Sequence, residues 1–447
     1  MVKKAAVLII SFYAMAALTG CNAGLENKSV RTEKNVPTAE QPGEQGKEPV
    51  KLTLLNGMVE VVDFFDAYFQ NYNSTNKDNI VIQTDYQKEA TKVLQVKLAS
   101  GNAPDIIVGI TPTQNMIDQG SFVDLSNEPF WNKLSPSDKE FNTDVKSGKI
   151  YSVGLCQSIV GLFYNKAIFG ELGLKPADTW NDFINNLQTI KKNKPGIIPF
   201  YIGGKDSWIL QHMSNFIHGG IVKQKMSYTE QQRAMLGIDL KKLRWDSSPE
   251  GTLVTYAKDL LELRDKGLIN TDVVKATYGN QIEEFASGRT AIISQGLWAA
   301  DLISEKKQDT ENIGFSQYPA IVKDEKPVVG TGTDVVAYIY SGTKYKDECL
   351  KVLESMLKPD SMKAISEGRK APSANPDVKT NWGYLKGEVT KVLNNPSNAI
   401  VTWTTMPAWF TGDDEGRMWQ DLLVGKYKDP VVFAKDYINA WCNGISK

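Results

Sequence analysis

Residues 51–109 read KLTLLNGMVEVVDFFDAYFQNYNSTNKDNIVIQTDYQKEATKVLQVKLASGNAPDIIVG. Three short runs in this stretch have strand composition: KLTLL (Lys51–Leu55), NIVIQTD (Asn79–Asp85) and DIIV (Asp105–Val108). Between the first two, Val61, Val62, Phe65, Tyr68, Phe69 and Tyr72 recur close to helical spacing. Between the last two, Glu89–Ala99 predicts a helix with Val93, Val96, Leu98 and Ala99 toward the core. Ser100-Gly101-Asn102 ends it and Pro104 bars its continuation. Strand, helix, strand, helix, strand within about 60 residues predicts a parallel sheet with helices on its faces. In such sheets ligands sit outside the carboxyl ends of the strands. Here those ends are Asn56-Gly57, Asp85-Tyr86 and Gly109 to Thr113. They offer neutral hydrogen-bonding groups and one carboxylate, not a phosphate cradle.

Upstream, Lys3 and Lys4 precede an apolar run from Ala5 to Ala17 broken only by Ser11, and Leu18-Thr19-Gly20-Cys21 follows. Charge, apolar run and small residues in that order read as a secretory signal, too short to span a bilayer comfortably. The cysteine after a small residue resembles the lipobox of bacterial lipoproteins. That resemblance implies removal of residues 1–20, a diacylglycerol on Cys21, and a mature chain held by acyl groups at the extracellular face of a bacterial membrane. An ordinary cleaved signal is the alternative. Residues 22–49 hold almost nothing to bury and read as a flexible tether. The fold begins near Val50 and leaves roughly 400 residues, enough for two or three domains.

Composition excludes several classes. Lys plus Arg number 51 and Asp plus Glu 52; loss of Lys3 and Lys4 with the leader takes the net charge from −1 to −3. That balance holds no basic field for nucleic acid. The two histidines, His212 and His218, are six apart and do not share a helix face as a metal pair would. Cys156, Cys349 and Cys442 are widely spread, with neither a disulfide framework nor metal-ligand spacing, although one pair could bridge in an oxidising setting. The expectation is a chain without metal or cofactor.

A resemblance runs along nearly the whole mature chain. KLASGNAPDIIVG (97–109), GKIYSV (148–153), GLFYNKAIFGELGL (161–174), TWNDF (179–183), EEFASGRTAIISQGLW (283–298), IGFSQYPA (313–320), MLKPDSM (356–362) and the Trp-rich tail from Trp403 to Trp419 occur in order. Together they resemble extracellular solute-binding proteins of carbohydrate ABC transporters. The resemblance implies an α/β, two-lobe periplasmic-binding-protein-like fold of type II, hinged, with the ligand in the interlobe cleft. It implies one lobe of residues 50–156 plus 319–362 and a second of 157–318 plus 363–447. It further implies a monomeric, non-enzymatic binder that delivers a sugar or oligosaccharide to ABC permease subunits. The residues agree locally: Thr179 with Asp182 suits a helix N-cap, and Phe163, Tyr164 and Phe183 read as core.

A sugar needs planar hydrogen-bonding groups for its hydroxyls and aromatic faces for its C–H patches, and the chain has 10 Trp and 17 Tyr. Trp298, after Gln295-Gly296, stands where the resemblance places a stacking Trp; a core Trp is the alternative. Asp206 and Trp208 follow the Gly203-Gly204 turn and suit a carboxylate and a second platform, or an N-cap and a core ring. Trp403 and Trp409 lie on a loop broken by Pro407. Thr331 and Gly332, in a Gly-rich turn leading to Asp334, would let backbone approach a ligand. Gln157 and Ser158 sit at the first lobe crossing, and Asn56 and Asp85 at strand ends. Arg369 and Lys370, after Gly368, could reach the cleft, but read better as solvated surface. Two further classes stay open: the same fold holding a polyamine, iron chelate or peptide, and a secreted glycoside hydrolase with two carboxylates. For the latter, Asp413, Asp414 and Glu415 read better as a charged surface loop.

Overall fold

Strands β1 (Val50–Asn56), β2 (Ile80–Tyr86) and β3 (Ile106–Val108) form where the three apolar runs predict them. β1 pairs in parallel with both β2 and β3. Helices Val62–Thr75 and Ala90–Ala99 make the two crossovers. The period of two decides which core each residue enters. Leu52, Leu54, Ile106 and Val108 join one hydrophobic cluster, and Leu55 and Ile107 join another on the opposite face. Phe65 and Phe69 press the first helix onto the former cluster.

The computed structural model describes residues 48–214, 226–237, 242, 245–306, 309–323, 325–402, 406–407 and 409–443. The leader, the tether, Cys21, His218 and Trp403 lie outside the described residues. Residues from Glu48 onward form one compact unit. Among the described residues, no helix is long and apolar enough to cross a membrane.

The helix Ala90–Ala99 corrects one expectation. Ala90 and Leu94 are its buried residues, Ala99 is exposed, and Val96 is 70% exposed. The i, i+4 stripe through Ala90 and Leu94 ends at half-buried Leu98. Val96 lies off that stripe, because composition does not say which stripe faces inward.

The rest of the sheet is mostly antiparallel. Strand β4 (Ser152–Asn165) pairs with β6 (Thr290–Gly296), β7 (Ile313–Ser316) and β8 (Val328–Ile339). Strand β5 (Ile198–Tyr201) runs parallel to β6, and β9 (Ala399–Thr402) runs parallel to β8. The strand order is β2-β1-β3-β8-β4-β6-β5, with β7 against β4 and β9 against β8.

Two long strands thread both main cores. Val153, Leu155 and Cys156 of β4 pack with the cluster around Leu54, whereas Ile159, Val160, Leu162 and Phe163 pack with a larger cluster around Phe200 and Trp419. β8 does the same in reverse: Val328 and Val329 belong to the larger cluster, and Val335, Ala337 and Ile339 to the smaller. A third passage follows, since Ala371 and Ala374 lie in the smaller core and Leu385 and Val389 in the larger. The expected turn at Gly330 to Asp334 is instead the interior of β8. Beside it, a Cβ on Gly154 would lie 1.8 Å from Thr333 Oγ1, so a side chain there would force Thr333 to shift. Val335 has φ 48°, a strained conformation for a β-branched residue.

Local signals behave as expected. Thr179 Oγ1 accepts from Asp182 N at 3.2 Å, and Phe163, Tyr164 and Phe183 are buried. Cys156, Cys349 and Cys442 carry free thiols.

Candidate functional site

Strand β6 ends at Gly296 and passes into the short turn Leu297–Ala299, which carries Trp298. A Cβ on Gly296 would lie 2.1 Å from the indole Cζ3, so the glycine lets the ring lie over the backbone. Trp298 Nε1 donates to Gln295 Oε1 at 3.2 Å, Gln295 Nε2 to Gln281 Oε1 at 2.7 Å, and Gln281 Nε2 to Tyr201 O at 2.9 Å. This buried relay fixes the indole plane.

A row of rings extends from it. Trp208 and His212 occupy i and i+4 of the helical residues 207–214, one face of one helix. His212 meets Trp298 edge-on at 5.7 Å and Trp208 at 5.3 Å, and Trp208 meets Tyr278 at 5.3 Å. Asp206 Oδ2 accepts from Tyr278 N at 2.6 Å, at the start of helix Tyr278–Ala286. Asp206 is thus a helix cap that holds one platform beside the other. Burial lowers the His212 pKa to about 3, so the ring is neutral.

Trp298 is covered more than an open platform would be: 8% of it is exposed. Part of its cover is ionic. The Arg369 guanidinium carbon lies 5.3 Å from the indole centroid. Arg369 stands at the end of helix Pro359–Gly368, its side chain 3% exposed. Its Nε and Nη2 donate to Asp334 Oδ2 at 3.1 and 2.9 Å, and Nη1 lies 3.6 Å from Glu60 Oε2. The expectation of a solvated arginine is therefore corrected. Burial opposes its charge, but the two carboxylates outweigh burial and raise its pKa. Beside it, Lys370 Nζ lies 3.0 Å from Asp301 Oδ2, so Lys370 is paired as well.

These groups meet where the two main cores meet. Trp298 packs in the larger core, with Trp208 and Tyr278 against it. Glu60, Asp334 and Arg369 are flanked by Val61, Val335 and Ala371 of the smaller core. Two buried donors there, Arg369 Nη1 and Tyr278 Oη, neighbour the Glu60 carboxylate. Burial first, and then the Glu60 carboxylate, raise the Tyr278 phenol well above its usual value. Two donors and a carboxylate thus converge beside an aromatic row.

The remaining candidates lie elsewhere or are engaged. Asn56 closes its amide on Met58 N and O at 2.9 and 3.0 Å. Asp85 Oδ1 accepts from Gln87 Nε2 at 2.7 Å, and Lys97 stands 3.7 Å away. Gln157 Nε2 donates to Asp138 Oδ2 at 3.0 Å, and Ser158 Oγ to Gly332 O at 3.4 Å. Thr331 and Gly332 face Ile159 and Ser158 across the β4–β8 ladder. Cys156 of the same ladder faces Asp334, which places Gln157 and Ser158 beside the Arg369 pair. Trp409 is 48% exposed and donates Nε1 to Trp441 O at 2.8 Å, apart from the row. The structure brings together Trp298, Trp208 and Asp206, and adds His212, Tyr278, Glu60 and Arg369. Of these, only His212, four residues from Trp208, and Glu60, just past a strand end, had a local signal.

The expected charged loop at 413–415 is the first turn of helix Gly412–Leu423, and Glu415 is buried. Glu415 Oε1 accepts from the Ser214 hydroxyl, from Trp419 Nε1 at 3.2 Å and from Tyr437 Oη at 2.8 Å. Among the described residues, no group of three or more His, Cys, Asp or Glu could hold a metal ion.

The sequence pattern of the family described as bacterial extracellular solute-binding protein matches residues 67–391. The chain belongs to that family. Its members bind solutes and are not catalysts, which overturns the hydrolase alternative. The solute-binding protein is 29% identical over 342 residues to the multiple sugar-binding protein of Streptococcus mutans, covering 72% of this chain and 76% of that one. It is 26% identical over 296 residues to the melibiose/raffinose/stachyose-binding protein of Bacillus subtilis, covering 65% and 66%. Its fold matches a Bacillus licheniformis sugar transporter protein solved with stachyose, at TM-score 0.73 and 20% identity over 89% of this chain and 100% of that one. A solute-binding protein solved with raffinose matches at TM-score 0.70 and 23% identity, over 88% and 99%. This solute-binding protein therefore has the α/β periplasmic-binding-protein fold.

Proposed function

We propose that this solute-binding protein captures a neutral oligosaccharide between two lobes and presents it to the permease subunits of an ABC transporter. The observation that carries the proposal is the convergence of Arg369 Nη1, Tyr278 Oη and Glu60 beside the Trp298–Trp208 row. Arg369 Nη1, 3.6 Å from Glu60, and Tyr278 Oη, beside the same carboxylate, are buried donors that a ligand hydroxyl can engage, and hydroxyls both accept and donate. The relatives named for several sugars and for melibiose, raffinose and stachyose support the same cargo class. Charge argues against a polyamine: the two carboxylates at the site already face Arg369.

The lobes are proposed as about 50–156 plus 319–362, and 157–318 plus 363–447. Core membership favours moving the second crossing to about 330–334 and the third to about 375–384. On this proposal the described arrangement is the closed form, and opening would part Arg369 from Trp298. A sugar touching both lobes would stabilise closure by its differential affinity for that state. Cys21 is proposed as the lipidated residue that holds the protein at the extracellular face, with residues 1–20 removed. Growth in labelled palmitate followed by immunoprecipitation tests the anchor: label on the wild type and none on Cys21→Ser is expected, and an unlabelled wild type contradicts it.

Ligand-dependent melting tests the cargo. At a hundredfold excess over Kd, a bound sugar stabilises the native state by about 2.7 kcal/mol. A rise in melting temperature with an oligosaccharide is expected. An unmoved melting temperature across a broad sugar panel rejects the cargo and leaves the fold intact.

A further inference from the structure

A cavity of about 120 Å³ lies between the carboxyl ends of β1 and β2 and the start of helix Val62–Thr75. Asn56, Val62, Phe65, Asp66, Thr84 and Tyr86 line it. Resting on the oligosaccharide reading above, we propose that this cavity is a second sugar subsite, taking a distal ring of the same ligand, so that the natural cargo is three or more sugar units long.

The lining has the chemistry of a hydroxylated neutral guest. Tyr86 is 38% exposed and offers an aromatic face. Thr84 Oγ1 donates to Asp66 Oδ1 at 2.8 Å, which leaves Asp66 Oδ2 as an acceptor. The Asn56 amide is satisfied by Met58 and serves as wall. No cation lines the cavity, so an anionic group has no counter-charge there. The volume accommodates several waters and hence a polar ring edge.

The cavity and the aromatic row share a neighbour. The Glu60 carboxylate raises the phenols of both Tyr86 and Tyr278, in each case after burial. Glu60 is paired with Arg369 at 3.6 Å and stands two residues before Val62, which lines the cavity, so the cavity and the aromatic row adjoin through this turn. Strand geometry sets their separation. Asp334 is on β8 and Tyr86 on β2, three strand spacings apart in the order β2-β1-β3-β8. At about 4.8 Å per spacing that is roughly 14 Å across the strands, and Tyr86 registers with Ala337, roughly 10 Å along β8 from Asp334. One ring cannot touch both ends, whereas a trisaccharide can.

Calorimetric titration of the purified full-length protein with galactose, melibiose, raffinose and stachyose tests this. Affinity is expected to rise from the disaccharide to the trisaccharide. Tyr86→Ala should lower raffinose and stachyose affinity about tenfold while leaving melibiose unchanged, and Tyr86→Phe should stay within about twofold of wild type. Equal loss for every sugar, or no loss, overturns the subsite. A wild type that binds sugars with no dependence on length also overturns it and leaves the oligosaccharide reading standing. A wild type that binds none of the four overturns both.

Discussion

The guanidinium of Arg369 lies over the indole of Trp298, 5.3 Å from its centroid, and joins residues flanking one core to a ring packed in the other. The contact explains two features together. It provides a polar cover for a tryptophan that is otherwise buried. It also gives an arginine its third partner besides Asp334 and Glu60. Breaking it would expose both halves of the aromatic site.

Removing the arginine alone leaves two poorly exposed carboxylates without their cation, which costs on the order of 3–5 kcal/mol in buried pairs. Arg369→Met is therefore expected to lower the unfolding free energy by that amount in urea. Adding Asp334→Asn should restore part of it. A single mutant within about 0.5 kcal/mol of wild type would show that the pair is solvated.

Tyr278 separates binding from stability. Its hydroxyl is buried beside the Glu60 carboxylate. Tyr278→Phe thus deletes a desolvated group, and stability should hold or rise slightly. Sugar affinity should fall about tenfold, because the ligand loses a donor. Unchanged affinity would place the ligand elsewhere.

Acid weakens the fold through His212. Its pKa is about 3 when folded against an ordinary 6.5, so the unfolded chain binds the proton first. The stability this group contributes is present above pH 6.5 and lost as pH falls toward 3. His212→Gln should flatten that slope, read by melting temperature against pH. A slope unchanged by the substitution would mean that the ring is charged or hydrated in the fold.

Glu415 acts with the opposite sign. Burial raises its pKa to about 7 from 4.5, although Ser214, Trp419 and Tyr437 donate to it. Its contribution is full below pH 4.5 and lost as pH rises through about 7. Glu415→Gln should remove this loss, giving a flatter stability profile between pH 5 and 7. The same profile in wild type and variant would contradict the assignment.

On the helix Ala90–Ala99, Leu94→Ala should cost about 2–5 kcal/mol and Val96→Ala less than about 0.5 kcal/mol. Equal costs would mean that the helix is rotated.

The βαβαβ unit was legible because its signals are local: strand period, a Gly stop after Ala99, and Pro104. Thr179 and Phe183 were legible for the same reason. The inward face of Ala90–Ala99 was not, since Val96 and Leu94 are equally apolar and only packing distinguishes them. Of the site, Trp298, Trp208 and Asp206 could be named from turns around them. Tyr278 could not: Asp206 captures its backbone across 72 residues of chain. Arg369 reads as surface because its charge has no visible partner until Asp334, from β8, and Glu60, after β1, fold against it. Glu415 misleads likewise, being buried only once Ser214 and Tyr437 reach it.

The most direct test titrates raffinose into wild type, Trp298→Leu and Trp409→Leu, with binding heats measured and folding checked by melting. Saturable binding by wild type and Trp409→Leu, with loss of about tenfold or more in Trp298→Leu, is the predicted outcome. Undiminished binding by Trp298→Leu, or selective loss in Trp409→Leu, would contradict it.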